Sequence, residues 1–522
     1  MTIRKTTVPL PPPPIPLPRG EGVRCGTTPP PLAGGGWGEG LRRPNRLALA
    51  ALALLAGCEV GPDYERPSAP VPDRFKEADG WKPAEPKEAA SDAPWWSVYD
   101  DKVLDGLEKK IDISNQTLKA SEAAWRQAVA LADQAQAGLF PTLGVTASAT
   151  RSGGGARSGG GGSTELASTG GGTSSHGLNQ FQAGASASWD LDIWGKIRRT
   201  IENATAAAQA SEADLAAARL SAQATLATDY FELRVADEQE KLLDETIKAY
   251  ERSTTITLNQ YKAGVAAKSD VITAETQLES AQSQRIALGV SRATLEHAIA
   301  VLDGATPAEV SIAVATLTGD IPVAPAGVPS TLLERRPDIA EAERKMEAAN
   351  AEIGVAIAAY YPDLTLSGSY GYSGSKIGSL FQASNALWSF GGTLAETVID
   401  FGAREAQVAA NRAAWDQSVA TYRQTVLAAF QQTEDELATL RILEQQAAVE
   451  EKTVASANLA VQLALNEYKA GTVSYTTVVT AQATALSEAQ SLLAIRQNRL
   501  VASVTLIQAL GGGWSADKIT TK

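Results

Sequence analysis

Few side chains in this 522-residue chain sit in a pattern that could carry chemistry, and the clearest is Cys58. Arg42, Arg43 and Arg46 precede ten apolar residues, 47–56, and Leu55-Ala56-Gly57-Cys58 closes the segment. A basic start, a short apolar core and small residues at the cut make a secretory signal, and ten residues are too few to cross a bilayer. A Cys directly behind Leu-Ala-Gly matches the bacterial lipobox, in which the thiol is acylated and the Cys becomes the mature N-terminus. Glu59 follows where an Asp would signal retention at the inner membrane, so the reading points to the outer one.

No other pattern promises a reaction. There is no Gly-x-Ser-x-Gly, phosphate loop or zinc spacing; His176 falls in a Gly/Ser tract and His297 in helical sequence. Cys25 lies in the leader, which leaves the mature chain with one Cys and no disulfide framework. The expectation is therefore a chain that is not an enzyme and uses neither cofactor nor metal. Removing the seven basic and two acidic residues that precede Cys58 turns the formal charge of −13 into −18, a sign that argues against nucleic acid as partner.

What positions any site must be long. Residues 196–263 and 403–470 are two runs of 68 residues without Gly or Pro, rich in Ala, Leu, Gln, Glu and Arg. As unbroken helices they would reach roughly 100 Å, beyond any single globular core. Gly195, Gly264 and Gly304 recur 207 residues later as Gly402, Gly471 and Gly511, and Leu258-Asn259-Gln260-Tyr261-Lys262-Ala263-Gly264 recurs as Leu465-Asn466-Glu467-Tyr468-Lys469-Ala470-Gly471. The chain is thus two copies of one unit. Residues 265–303 and 472–510 continue each run past its Gly, which makes two αα-hairpins.

The resulting division is a pre-piece and signal at 1–57, an extended Pro-rich arm at 58–97, a first repeat at 98–304, a linker at 305–336, a second repeat at 337–514 and a tail at 515–522. Helical sequence is expected from about Val98 to Leu139 and from Asp338 to Tyr360, with Asp338 as N-cap and Glu341 as its capping-box partner. Hairpins at 141–190 and 362–400 then follow a period of two. Leu143, Val145 and Ala147 alternate with Thr142, Gly144 and Thr146; Leu364, Leu366 and Tyr370 alternate with Thr365, Ser367 and Ser369; Trp388, Phe390 and Leu394 mark a less regular strand. Strands of about ten residues, apolar on one face and small-polar on the other, suit a transmembrane barrel with lipid outside and water inside. Four strands cannot close one, since about eight is the minimum, so the chain must oligomerise.

The lipobox at Cys58, Val60-Gly61-Pro62-Asp63-Tyr64, Trp95-Trp96, Asp192-Ile193-Trp194-Gly195-Lys196, Arg335-Arg336-Pro337-Asp338-Ile339 and the paired Tyr-Lys-Ala-Gly turns together resemble the outer-membrane factors of the TolC/NodT lipoprotein type. The resemblance implies a membrane α+β fold: a homotrimer with one twelve-stranded transmembrane β-barrel, four strands per protomer, continued by a long periplasmic α-helical barrel. It implies a passive exit duct for small molecules, docked on a periplasmic adaptor and an inner-membrane RND-type transporter, anchored in outer-membrane lipid through Cys58 and catalysing nothing.

It also implies a periplasmic gate. Asp270 and Tyr468 are assigned to its closed-state latch, the alternative for Asp270 being an N-cap of the returning helix. The positions where relatives carry an acidic or leucine ring are Thr476, Thr477 and Thr480 here, so a hydroxyl-lined aperture with weak ion selectivity is expected. The turns carrying Gly264, Val265, Gly471 and Thr472 are the expected adaptor contacts. Competing readings are the duct of a type I protein secretion system and a structural coiled-coil lipoprotein.

Overall fold

The computed structural model describes residues 59–72, 74–77, 94–152, 178–317 and 335–519. Cys58 and the leader, the 153–177 loop with His176, and the linker stretch 318–334 lie outside the described residues. Val60–Lys522 forms one compact unit, which is the one considered below.

The chain runs through α1 (Lys102–Ser114), α2 (Gln116–Ala137), β1 (Thr142–Ser152), β2 (Leu178–Leu191), α3 (Lys196–Lys262) and α4 (Lys268–Leu302). The order then recurs as α5 (Pro337–Ala358), β3 (Asp363–Gly374), β4 (Ala386–Ala395), α6 (Ala403–Lys469) and α7 (Tyr475–Ala509). The long helices α3 and α6 have 67 residues each and the returning helices α4 and α7 have 35 each. Among the described residues no helix is long and apolar enough to cross a membrane.

Two local expectations are corrected. The helix expected from Val98 is broken, because Trp95–Tyr99 forms a 3-10 turn and Asn115 stands extended between α1 and α2. Asn115 stops one helix by donating its N–H to Ile111 O, and starts the next by accepting from Leu118 N at 3.0 Å. Its amide also donates to Leu302 O at 2.8 Å, so the break is held by the end of α4. Asp338 is not an N-cap: Arg336 takes that position, Pro337 fills the first turn where no N–H is needed, and Asp338 accepts from Arg336 Nη2 at 2.7 Å. Glu341 pairs with Lys345 rather than with a cap.

The four strands form one antiparallel sheet in the order β1-β2-β3-β4. The register aligns their faces: Val145 stands opposite Ala185, Ala185 opposite Tyr370, and Tyr370 opposite Trp388. One face therefore carries Leu143, Val145, Leu364, Leu366, Tyr370, Trp388, Phe390 and Leu394, and most of these are exposed. The other carries Ser186, Ser188, Ser367, Ser369 and Ser389, with Ser369 and Ser389 hydroxyls 2.8 Å apart. Gly184 and Gly371 meet back to back, and a Cβ on Gly371 would come within 2.8 Å of Ala183 O.

Each long helix starts where a strand ends. Asp192 accepts from Ile197 N and Arg198 N, both at 2.9 Å, which satisfies two of the free N–H groups of α3; Asp400 accepts from Gly402 N and Arg404 N ahead of α6. Two apolar cores follow. The first gathers Trp95, Tyr99, Leu104, Ile111, Leu226, Tyr230 and Leu233 with Ile299 and Val504, and the second gathers Phe75, Ile339, Met346, Tyr422, Val426, Leu437 and Leu506. The arm straps across both repeats: Val60 N donates to Trp194 O, Asp63 pairs with Arg199 at 2.8 Å, and Lys76 N and Glu77 N donate to Glu434. A Cβ on Gly61, at φ +107°, would lie 2.6 Å from Gly354 Cα, so only Gly lets the arm seat there.

Candidate functional site

The ends of the two hairpins remote from the sheet hold the residues that can gate or dock. Each long helix stops by the same device: Ala263 N donates to Asn259 O and Gly264 N to Tyr261 O, while Ala470 N donates to Asn466 O and Gly471 N to Tyr468 O. Gly264 and Gly471 take φ +76° and +74°, the left-handed conformation that ends helices, and a Cβ on either would meet open space. Backbone conformation alone selects Gly there. Gly264, Val265, Gly471 and Thr472 are all exposed.

Below the turns, Ala274, Ala464, Tyr468, Tyr475 and Val478 form a third apolar cluster that joins α4, α6 and α7. Asp270 lies half-buried in the first turn of α4; Ala267 is the N-cap residue and Asp270 caps nothing. Tyr468 is buried, its ring centroid 5.2 Å from that of Tyr475. Its hydroxyl is buried without a hydrogen bond of normal geometry, facing Thr257 and the charge of Asp270. Burial, and after it that negative charge, hold the phenol above its ordinary range. The chain thus brings Asp270 and Tyr468 together without a direct bond between them. Thr476, Thr477 and Thr480 lie exposed on the first turns of α7.

The residues that do bond across this region are ones the sequence reading passed over. Tyr475 Oη lies 3.2 Å from Ser253 Oγ, Tyr250 Oη donates to Gln482 O at 3.4 Å, and Gln277 Nε2 donates to Tyr250 Oη at 3.2 Å. Burial pushes both phenols up. Further along the same pair of helices, Arg496 pairs with Glu238 at 3.3 Å. A signal for them existed: each departs from the 207-residue repeat, with Lys268 matching Tyr475 and Ala457 matching Tyr250.

A four-stranded sheet feeding two equal helical hairpins is the architecture of an outer-membrane channel protomer, and comparison with known proteins places the chain there. The family model for outer membrane efflux proteins matches residues 109–305 and 328–512, and this chain belongs to that family. The toluene efflux pump outer membrane protein TtgC of Pseudomonas putida is 30% identical over 478 residues, covering 90% of this chain and 95% of that protein. The cation efflux system protein CusC of Escherichia coli is 28% identical over 484 residues, 90% of this chain and all of CusC. Among solved structures, the outer-membrane channel OprN superposes with a TM-score of 0.79 at 27% identity, covering 88% of this chain and all of OprN. The open-state MtrE channel of Neisseria gonorrhoeae gives 0.74 at 26%, covering 89% of this chain and all of MtrE.

Proposed function

We propose that this protein is the passive exit duct of a tripartite efflux system, trimeric, with the four strands of each copy contributing to one twelve-stranded barrel and the helices forming a hollow conduit across the periplasm. The observation that carries this is the sheet. Its apolar face is uncovered, its other face is lined with hydroxyls, and β1 and β4 are unpaired edges, a combination costly in water and resolved by closure with further copies in lipid. Acylated Cys58 supplies the anchor; Val60, two residues along the chain, bonds Trp194 where the strands give way to α3.

A periplasmic adaptor docks on the exposed turns at Gly264, Val265, Gly471 and Thr472, and an RND-type inner-membrane transporter supplies the cargo. Asp270 and Tyr468 keep the tip shut at rest, and Thr476, Thr477 and Thr480 line the aperture. Deleting the gene is expected to sensitise the cell to some member of a panel of drugs, solvents and metal salts; a strain unchanged across the panel would remove the reading. Asp270→Ala is expected to raise the single-channel conductance of the purified protein in planar bilayers and the cell's vancomycin sensitivity, and unchanged values would remove the latch.

A further inference from the structure

The first repeat carries a cavity of about 340 Å³ between α2, α3 and the tail that follows α7. Trp125, Glu212, Arg219, Gln223 and Trp514 line it, two indoles beside an acid, a guanidinium and an amide. Gly512 seats the tail, since a Cβ there would press within 2.3 Å of Leu220 Cδ1. The polar groups are held from behind. Trp95 Nε1 donates to Gln223 Oε1 at 3.3 Å, so the amide of this buried residue keeps its NH2 group for the cavity. Asp112 pairs with Arg219 Nε at 3.0 Å and leaves the two terminal NH2 groups of the guanidinium.

The repeat shows what such a groove can hold. Shifting Leu215, Ala216 and Gln223 by 207 residues gives Tyr422, Arg423 and Phe430 on α6, and there the arm fills the groove. Arg66 Nε donates to Tyr422 Oη at 3.2 Å, Arg423 Nε donates to Ser68 O at 3.3 Å, and the rings of Phe75 and Phe430 lie 6.5 Å apart. In the first repeat the tail covers only part of that face, and the cavity remains. The lining differs to match. Val419, Val426 and Phe430 of the filled groove stand where the open one has Glu212, Arg219 and Gln223. Met346 stands as far before Pro362 as Trp125 stands before Pro141.

The groove that holds a peptide is thus lined by aliphatic and phenyl groups, whereas the open one has exchanged them for groups that bond hydroxyls and has added flat indole faces. That combination fits a sugar ring. The C–H faces of the ring pack on indole, its hydroxyl and N-acetyl oxygens accept from Arg219 and Gln223, and a hydroxyl donates to Glu212.

The place of the cavity agrees. Residues 212–223 lie roughly 25–40 Å along α3 from its start at the sheet. Glu212, Arg219, Gln223, Leu226 and Tyr230 recur at helical spacing on one face of α3, and α1 packs on the far part of that face as a second layer. A hollow conduit can carry such a layer only on its outside.

We propose that this cavity is a glycan site on the outer wall of the duct and that it holds the N-acetylhexosamine strands of the cell wall. The placement in the periplasm rests on the duct reading; the chemistry of the site does not.

The test titrates the purified full-length lipoprotein in detergent, by isothermal calorimetry, with peptide-free glycan strands released from cell-wall sacculi by an amidase. The stem peptides from the same digest are titrated separately. The strands are expected to bind and the peptides to give no heat. Trp125→Ala and Trp514→Ala are each expected to weaken strand binding on the order of tenfold. Ala216→Phe, which fills the cavity and removes none of its polar groups or indoles, is expected to abolish it. Trp514→Phe keeps a ring face and is expected to bind as the parent does, which separates loss of stacking from loss of fold. Strands that give no heat, variants that bind unchanged, or peptides that bind in place of strands would each overturn the site. Single-channel conductance is expected to be equal in parent and variants; a protein that binds strands and conducts nothing would keep the site and sink the duct.

Discussion

Tyr261 and Tyr468 sit at matching positions of two nearly identical heptads, yet Tyr261 is 42% exposed and Tyr468 only 6%. Their backbones are alike: the same helix, the same glycine turn, the same hydrogen bonds ending it. What differs is the neighbour. Tyr468 has Tyr475, Ala274 and Thr257 beside it from the same chain, whereas Tyr261 belongs to none of the described apolar clusters. A repeat of local structure thus need not be a repeat of environment.

Truncating the buried ring should give the largest contrast between the copies. Tyr468→Ala is expected to destabilise each protomer by about 3–5 kcal/mol, as other large-to-small core changes do, and to lower the thermal unfolding midpoint followed by circular dichroism in detergent. Tyr261→Ala is expected to leave helix content intact and instead reduce the trimer recovered by size exclusion; equal loss of fold from both would erase the comparison. At the turns the copies should behave alike. A bulky residue at Gly471 or Gly264 must hold a left-handed backbone at a cost of about 1–2 kcal/mol, too little to unfold the chain. Gly471→Trp is expected to abolish export with trimer levels unchanged, and loss of the trimer would point to folding rather than docking.

The contrast that depends on pH concerns a buried carboxyl. Glu108 on α1 is fully buried with both oxygens unpartnered, and burial, then the charges of Asp112 and Asp303, push it up to about 9. Its folded form holds a proton that the unfolded chain releases near its ordinary value of 4.5. Stability from this group is therefore whole below about pH 4.5 and falls as pH rises toward 9. Glu108→Gln is expected to raise the unfolding midpoint at pH 8 and to change it little at pH 5; a gain independent of pH would mean that Glu108 is ionised in the fold.

Much of the architecture could be read from local pattern. The Gly- and Pro-free runs foretold α3 and α6 because helix formation depends on nearby residues, and the alternation of Leu143, Val145, Leu364 and Leu366 with hydroxyl residues foretold the two faces of the sheet. Gly264 and Gly471 announced the turns, since the backbone there rotates into a region that side chains resist. Asn115 escaped notice because a lone Asn in helical sequence is ambiguous until Leu302 O arrives to hold its amide. Tyr250, Tyr475 and Ser253 escaped notice for the same reason: a hydroxyl on a helix face has no assigned partner until another helix is beside it.

The sequence by itself determined the lengths of the two long helices, the turns that end them and the two-sided strands, all of which arise from residues near one another, and the duplication of the whole unit. Only the tertiary structure decided which of two equivalent tyrosines is buried, which residues bond between the two hairpins, where the arm is strapped and that Glu108 stands alone. Those outcomes depend on contacts between residues hundreds of positions apart, and such contacts leave no period in the chain to be read.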